Sequence, residues 1–262
     1  MRITVIASGS TGNCALAEVA GAHILVDDGI SLRRLRGFLA ADGLTPNDLD
    51  GVFITHEHTD HVSGLKMLCK YHSVPIYALR PVASRLAGMF PEAEEYIRPI
   101  QPGASANVGG AVLVPFETQH DTGASAGLRI DCSEGSLGFC TDLGVVTDIV
   151  RDALAGVKCA LIEANHDVNM LLDGPYPPML KRRILSGNGH LSNEQCAELA
   201  VFLAENGAET LILGHISREN NTPGRAMNVV ADALERAGYS PALLTAPPLG
   251  AVIAESVEKC PA

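Results

Sequence analysis

The sequence predicts a mixed α/β (α+β) fold in which sheets pack on each other and are flanked by helices. Three observations predict it. Short apolar runs of strand length recur along the chain, interrupted by stretches with helical spacing. Gly (26) and Pro (15) are plentiful and spread along the 262 residues, which fits many short elements joined by tight turns. Four of the apolar runs end at or just before a residue that can bind a metal, as expected when a rigid scaffold carries a site on its loops.

In order, residues 2–7 read as a strand and about 13–27 as a hairpin. The turn Ser8-Gly9-Ser10-Thr11-Gly12-Asn13 between them is either a plain β-turn or a place where backbone amides approach an anion. Ile24-Leu25-Val26 leads into Asp27-Asp28-Gly29, a strand that ends in acidic residues. Ser31 is placed to cap a helix over Leu32 to Leu39, whose Arg33, Arg34 and Arg36 read as a solvated basic face. Gly51-Val52-Phe53-Ile54 predicts a buried strand, and Val62, Leu65, Leu68 and Tyr71 give residues 62–71 a helical spacing.

Thr55-His56-Glu57-His58-Thr59-Asp60-His61 occupies the turn between that strand and that helix. His56 and His58, two apart on an extended segment, can point the same way and grip one ion, while Asp60 and His61 open the helix and can aim at a second. Neutral imidazole and carboxylate suit zinc, manganese or iron(II).

Further strands are expected at 74–78, 96–100, 111–116 and 125–131, with a short helix near 81–88. Val112-Leu113-Val114-Pro115-Phe116 is soon followed by His120-Asp121, Ser136 to Thr141 runs into Asp142, and Thr210 to Gly214 runs into His215. If these strands share an edge with the one before His56, the seven side chains converge on one rim.

A second convergence lies between 157 and 195. Val157 to Ile162 ends in Glu163-Ala164-Asn165-His166-Asp167, and Gly189-His190-Leu191-Ser192-Asn193 precedes a helix over 193–205 with a capping box of Ser192 and Gln195. A helix start presents free amides, so Ser192, Asn193 and His190 are candidate phosphate contacts, with His190 also a candidate proton donor. His166 either orients the site or backs its ligands. Lys181, Arg182 and Arg183 add positive charge just upstream. Thr222 and Pro223 open a helix to about Ala237, and 241–254 supply one or two short strands. Repeats, low-complexity tracts and linkers are absent, so residues 1–262 are expected to form one domain.

A net charge of −11 argues against a chain that coats nucleic acid non-specifically, but not against a nucleic-acid enzyme whose bound cations invert the local field. The seven cysteines, Cys14, Cys69, Cys132, Cys140, Cys159, Cys196 and Cys260, contain no CxxC pair and read as free thiols. The apolar run at the N-terminus is too short for a secretory signal, and no stretch suits a membrane span, so a cytoplasmic protein is expected.

Thr55-His56-x-His58-x-Asp60-His61, followed in order by His120, Asp142 and His215, resembles the metallo-β-lactamase superfamily over essentially the whole chain. More narrowly, Gly9 to Cys14, Glu163 to Asp167, Gly189 to Asn193 and Leu213 to Asn220 look like its YycJ/WalJ-type branch of single-domain exonucleases. The resemblance implies a four-layer αββα sandwich with two divalent ions at one edge, zinc or manganese ahead of iron. It implies His56, His58 and His120 on the first ion, Asp60, His61 and His215 on the second, and Asp142 bridging. It also implies a 5′-to-3′ DNA exonuclease, with DNA ahead of RNA as substrate and no membrane partner. A metal-held hydroxide would attack the phosphodiester, with Asp60 and His190 in catalytic roles and Ser192, Asn193, His190 and His166 towards the substrate phosphates.

Other readings are a small-molecule phosphodiesterase or thioester hydrolase on the same fold, a diiron oxygen-reducing centre, and a metal-binding regulatory module without turnover. The last fits poorly with seven candidate ligands, because a structural zinc needs only four in a closed shell.

Overall fold

A computed structural model describes residues 1–255 and contains two seven-stranded sheets. The first comprises β1 (Arg2–Ala7), β2 (Cys14–Val19), β3 (Ala22–Val26), β4 (Gly51–Ile54), β5 (Ile76–Leu79), β6 (Ile97–Ile100) and β14 (Val252–Glu255), in the order β14-β1-β2-β3-β4-β5-β6. The second comprises β7 (Ala106–Val108), β8 (Ala111–Thr118), β9 (Ser125–Cys132), β10 (Gly135–Cys140), β11 (Cys159–Glu163), β12 (Thr210–Gly214) and β13 (Ala242–Thr245), in the order β13-β12-β11-β10-β9-β8-β7.

Each sheet is antiparallel at one end and parallel at the other: β3 to β6 are mutually parallel, as are β10 to β13. Because β8 and β10 are both antiparallel to β9, β8 runs in the same direction as β10, β11 and β12. The C-terminal ends of these four strands therefore lie on one edge, where side chains from several strands can meet above the sheet.

The strands are buried on both faces, and their alternation shows what covers each face. Leu137, Phe139, Cys159, Leu161 and Ile212 join the core between the sheets, together with Ile3, Ile24 and Phe53. Their neighbours Cys140, Ala160, Ile162, Leu211 and Leu213 point the other way, into a second core with α5 (Asp148–Leu154), α8 (Asn193–Glu205) and α9 (Pro223–Ala237). On the first sheet, α1 (Leu32–Ala41), α3 (Leu65–Tyr71) and α4 (Arg80–Met89) bury Leu32, Leu35, Leu39, Leu65, Leu68, Val82 and Leu86 in the core. The layers are αββα.

Local signals act as expected. Ser31, Ser192 and Thr222 cap their helices, Pro223 takes the first turn of α9, and Gly238 ends it with φ 82°. Arg33, Arg34 and Arg36 lie on the solvated face of α1.

The helical spacing over 62–71 is divided. A short α2 (Thr59–Val62) is followed by Ser63-Gly64 and then α3. Asp28 and Ile30 press against the break: a Cβ on Gly64 would lie 2.3 Å from the Ile30 carbonyl oxygen and 2.4 Å from Asp28 Oδ1. Strand β7 and helices α5, α6 (Val168–Asp173) and α7 (Pro178–Ile184) add to the elements expected from sequence. Cys14, Cys69, Cys132, Cys140, Cys159 and Cys196 are unpaired thiols, and Cys260 lies outside the described residues. Among the described residues, no helix is long and apolar enough to cross a membrane.

Candidate metal centre

The sequence-predicted ligands meet at the rim, and they come from both sheets. β4 hands the chain to Thr55 and His56, α2 carries Asp60 and His61, and His120, Asp142 and His215 follow β8, β10 and β12. Backbone conformation aims two of them: Asp142 and His215 have φ of 58° and 52°, and Asp27 beneath them has φ of 60°. Left-handed backbone at a non-glycine residue costs about 1–3 kcal/mol and persists only where the surroundings over-determine it. One such determinant is Ser8, whose Oγ accepts from the His215 amide at 2.7 Å.

Three overlapping groups of donor atoms result, each with its atoms within 4.8 Å of one another: His56, His58 and His120; His56, His61 and Asp142; and Asp142, Glu163, His190 and His215. His56 Nε2 is 3.1 Å from His58 Nδ1. Asp142 reaches His61 Nε2 at 3.4 Å through one carboxylate oxygen, and His215 Nδ1 at 3.1 Å and His120 Nε2 at 3.8 Å through the other. Asp60 Oδ2 lies 3.6 Å from His61 Nε2 and accepts from Asn13 Nδ2 at 3.1 Å.

These residues fit divalent cations. Asp142 Oδ2 is buried without a hydrogen-bond partner, and Asp142 is shared by two of the three groups, as His56 is by another two. Burial pushes His56, His58 and His120 below the ordinary histidine range, so they present neutral ring nitrogens, the form that ligates metals. Burial would raise the Asp142 carboxyl, but His215 and His61 outweigh it and hold it well below the usual carboxylate range.

Asp27 supports this arrangement from below. It accepts from the Thr55 amide at 2.9 Å and sets its Oδ2 2.8 Å from His61 Nδ1, which fixes that ring with Nε2 towards the centre. Burial opposes a charge on His61, yet Asp27 and Asp142 prevail and hold its pKa well above the ordinary value. The small-residue turn serves as a scaffold beside the site: Gly9 N donates to Asn13 Oδ1, Gly12 N to the Gly9 carbonyl, and Asn13 N to the Asp60 carbonyl.

The second convergence divides. Fully buried Glu163 lies 2.7 Å from His190 Nδ1 and 2.9 Å from His215 Nδ1. Burial opposes both charges, but their mutual attraction raises His190 to about 9 and lowers Glu163 to about 2. His190 lines the cleft, whereas Ser192, Asn193 and His166, the other expected phosphate contacts, are buried and do not line it. Ser192 is buried, with its hydroxyl accepting from Gln195 N in the cap. Asn193 exchanges two amide hydrogen bonds with Asn221, at 3.1 and 2.8 Å, and Asn221 also donates to the Ala164 carbonyl. The His166 backbone pairs with this segment and its ring is buried. Together with Asn165, whose Nδ2 donates to the His215 carbonyl at 2.9 Å, they lock the loops after β11 and β12 to each other.

The centre opens into a cleft of about 260 Å³. His58, Asp60, His120, Asp142, His190 and His215 line it, together with Tyr176, Leu180, Arg183 and Ile184 from α7 and its approach. Arg183 forms an ion pair with Asp121, which sits 3.2 Å from His120 Nε2.

Asp27, Glu163 and Tyr176 are functional candidates that sequence reasoning passed over. Asp27 and Glu163 both end a strand, the feature that marked His56, Asp142 and His215. Tyr176 had no comparable signal.

Residues 22–216 match the beta-lactamase superfamily domain. The chain is 34% identical over 241 residues to exodeoxyribonuclease WalJ of Streptococcus pneumoniae, covering 90% of this chain and 89% of that one. It is 31% identical over 242 residues to exodeoxyribonuclease YycJ of Bacillus anthracis, covering 91% of each. The solved structure of YhfI from Bacillus subtilis, a metallo-beta-lactamase fold protein, aligns with a TM-score of 0.73 at 18% identity over 97% of this chain and 98% of that one.

Proposed function

This chain belongs to the metallo-β-lactamase superfamily, and from that membership we propose that residues 1–262 form one domain that removes nucleotides from DNA in the 5′-to-3′ direction by metal-dependent phosphodiester hydrolysis. The observation that carries the reading is the convergence of three donor groups, linked to one another through His56 and Asp142, on one cleft. The relatives' names, held over nine-tenths of the chain, support DNA as the substrate class.

His56, His58 and His120 would hold one cation, Asp60, His61 and His215 the other, with Asp142 shared. Zinc or manganese suits this nitrogen and oxygen donor set. When bound, such a pair supplies Lewis acidity to a phosphodiester and lowers the pKa of water. The chain's own residues do the rest. Asp27 and Glu163 fix the rings of His61 and His215. Asp60, at the cleft wall and held by Asn13, orients the nucleophile's side of the site. Glu163 keeps a proton on His190 Nδ1, so His190 stands in the cleft as a charged acid for the departing sugar oxygen. The free thiols favour a reducing, cytoplasmic setting.

The test is reconstitution of metal-stripped protein with zinc, manganese, iron or magnesium, followed by assay on end-labelled single- and double-stranded DNA and RNA with and without a 5′-phosphate. Mononucleotide release from the 5′ end of DNA, dependent on added metal, is expected. Full activity in metal-stripped protein, or turnover of cyclic nucleotides with none of DNA, would reject the reading.

A further inference from the structure

The cleft has lining residues that phosphodiester chemistry does not require. Tyr176, Leu180 and Ile184 give the cleft an apolar portion beside the candidate ligands, and Arg183 from the same segment lines it too. Tyr176 is the sole Phe, Tyr or Trp side chain lining this cleft among the described residues. A site for inorganic phosphate alone has no use for such a face. A nucleotide does, because each base offers a π-face that stacks on an aromatic ring whatever its sequence.

We infer that α7 and the segment leading into it form a subsite for the terminal nucleotide of the substrate, with Tyr176 stacking on its base and Arg183 binding its 5′-phosphate. The inference deepens the nuclease reading and rests on it.

Four features support the assignment. Tyr176 is flanked by Pro175 and by Pro177-Pro178. Those rings fix φ on either side of it, and a residue before proline is held extended, so the ring is presented with little ordering left to do on binding. Next, α7 is tied down on both sides. Lys181 Nζ donates to the Leu172 carbonyl at 2.6 Å, and the His190 amide donates to the Ile184 carbonyl at 3.0 Å, so α7 and the proton-bearing histidine are positioned together. Gly189 permits this approach, since a Cβ there would lie 2.1 Å from the Ile184 carbonyl oxygen.

Arg183 is suited to a phosphate. A guanidinium has five N–H donors, and this one is more than half exposed while paired with Asp121, which leaves donors for a second anion. Size completes the case. A cleft of about 260 Å³ sits near the small end of ligand pockets and admits one unpaired nucleotide, not a duplex. A double-stranded end must open before its terminal base reaches Tyr176.

The experiment compares 5′-phosphorylated single strands that carry either a normal or an abasic 5′-terminal nucleotide, using metal-loaded wild type, Tyr176→Ala, Tyr176→Phe and Arg183→Ala. Removing the base should lower wild-type kcat/KM by roughly 5- to 100-fold, as expected for one base–aromatic stack. Tyr176→Ala should lose the same factor on the normal strand and nothing further on the abasic one, and Tyr176→Phe should restore the discrimination. Arg183→Ala should erase the preference for a 5′-phosphate over a 5′-hydroxyl.

Equal wild-type rates on normal and abasic ends would overturn the subsite while leaving the nuclease reading intact, and that comparison needs no variant to fold. Hydrolysis of bis-p-nitrophenyl phosphate without attack on any oligonucleotide would reject the nuclease reading and the subsite together.

Discussion

Glu163 and His190 form an acid pair whose chemistry can be separated from metal binding. Glu163 holds the imidazole proton at 2.7 Å, and their mutual attraction is strong enough to reverse the effect of burial on both groups. A general acid matters when the leaving oxygen is a poor leaving group, and it contributes about 10²–10⁴ in rate. His190→Ala should therefore lower kcat on DNA by about that factor, yet change hydrolysis of bis-p-nitrophenyl phosphate by less than about 10-fold, since nitrophenolate leaves without a proton. Equal losses on both substrates would remove the proton-donor role. Asp60→Ala or His61→Ala should abolish metal-dependent hydrolysis of both substrates while the circular dichroism spectrum is unchanged; activity retained at wild-type level would remove those residues from the centre. The histidines and aspartates were legible in the sequence because three imidazoles and a carboxylate within residues 56–61 seldom coincide, and that cluster lends weight to His120, Asp142 and His215 after later strands. Glu163 ends β11 as Asp142 follows β10, but a single acid after an apolar run has an ordinary surface reading. Only the fold, by running β10, β11 and β12 parallel, brings it to the same edge.

At the scale of elements, the capped start of α8 joins a local reading that the fold bears out to a phosphate role that measurement decides. Ser192 and Gln195 form the expected capping box, but the helix start is packed against the loop after β11 and does not open on the cleft. Ser192→Ala should cost about 1 kcal/mol of stability, measured by urea unfolding, and leave KM for DNA and for bis-p-nitrophenyl phosphate unchanged. A KM rise confined to DNA would restore the phosphate role. Gly64 is the stronger case. Its Cβ would strike the Ile30 carbonyl and Asp28 Oδ1, at the step between α2 and α3 that sets where Asp60 and His61 stand. Gly64→Ala should cost about 2–3 kcal/mol in the same measurement, and an unchanged unfolding midpoint would mean that the contact yields freely. Long amphipathic elements such as α1 and α9 were legible to within a residue or two, because buried positions repeat at helical spacing and caps mark their ends. α6 and α7 were not. They are six and seven residues long and separated by a proline-rich stretch, too short for periodicity to register, and tertiary contacts hold them in place.

On the scale of the whole molecule, the candidate centre joins two halves that otherwise meet through apolar packing and a few hydrogen bonds, such as those from the His215 amide to Ser8 Oγ and from the Ala126 amide to the Thr55 carbonyl. His56, His58, Asp60 and His61 follow strands of the first sheet; His120, Asp142 and His215 follow strands of the second. Each set of three ligands proposed for a cation draws on both sheets, so a bound cation is a cross-link at one edge of the sandwich. Cations that bind the folded chain and not the unfolded one stabilise it by mass action, about 4 kcal/mol for a site at a thousand times its Kd. For a chain of 262 residues that corresponds to a rise in Tm of about 10 °C. Chelation should reverse that shift, and hydrogen exchange should then quicken first in the rim segments 55–61, 119–122, 141–144 and 215–221, while β2, β3 and β9 at the middle of the sheets stay protected. The same chelation applied to Asp142→Ala should move Tm far less, because the ligand shared between the cations is already gone. A chelator-insensitive Tm in the wild type, under conditions where metal analysis shows the ions removed, would separate the centre from the stability of the sandwich and leave the two sheets held by their apolar core and those hydrogen bonds.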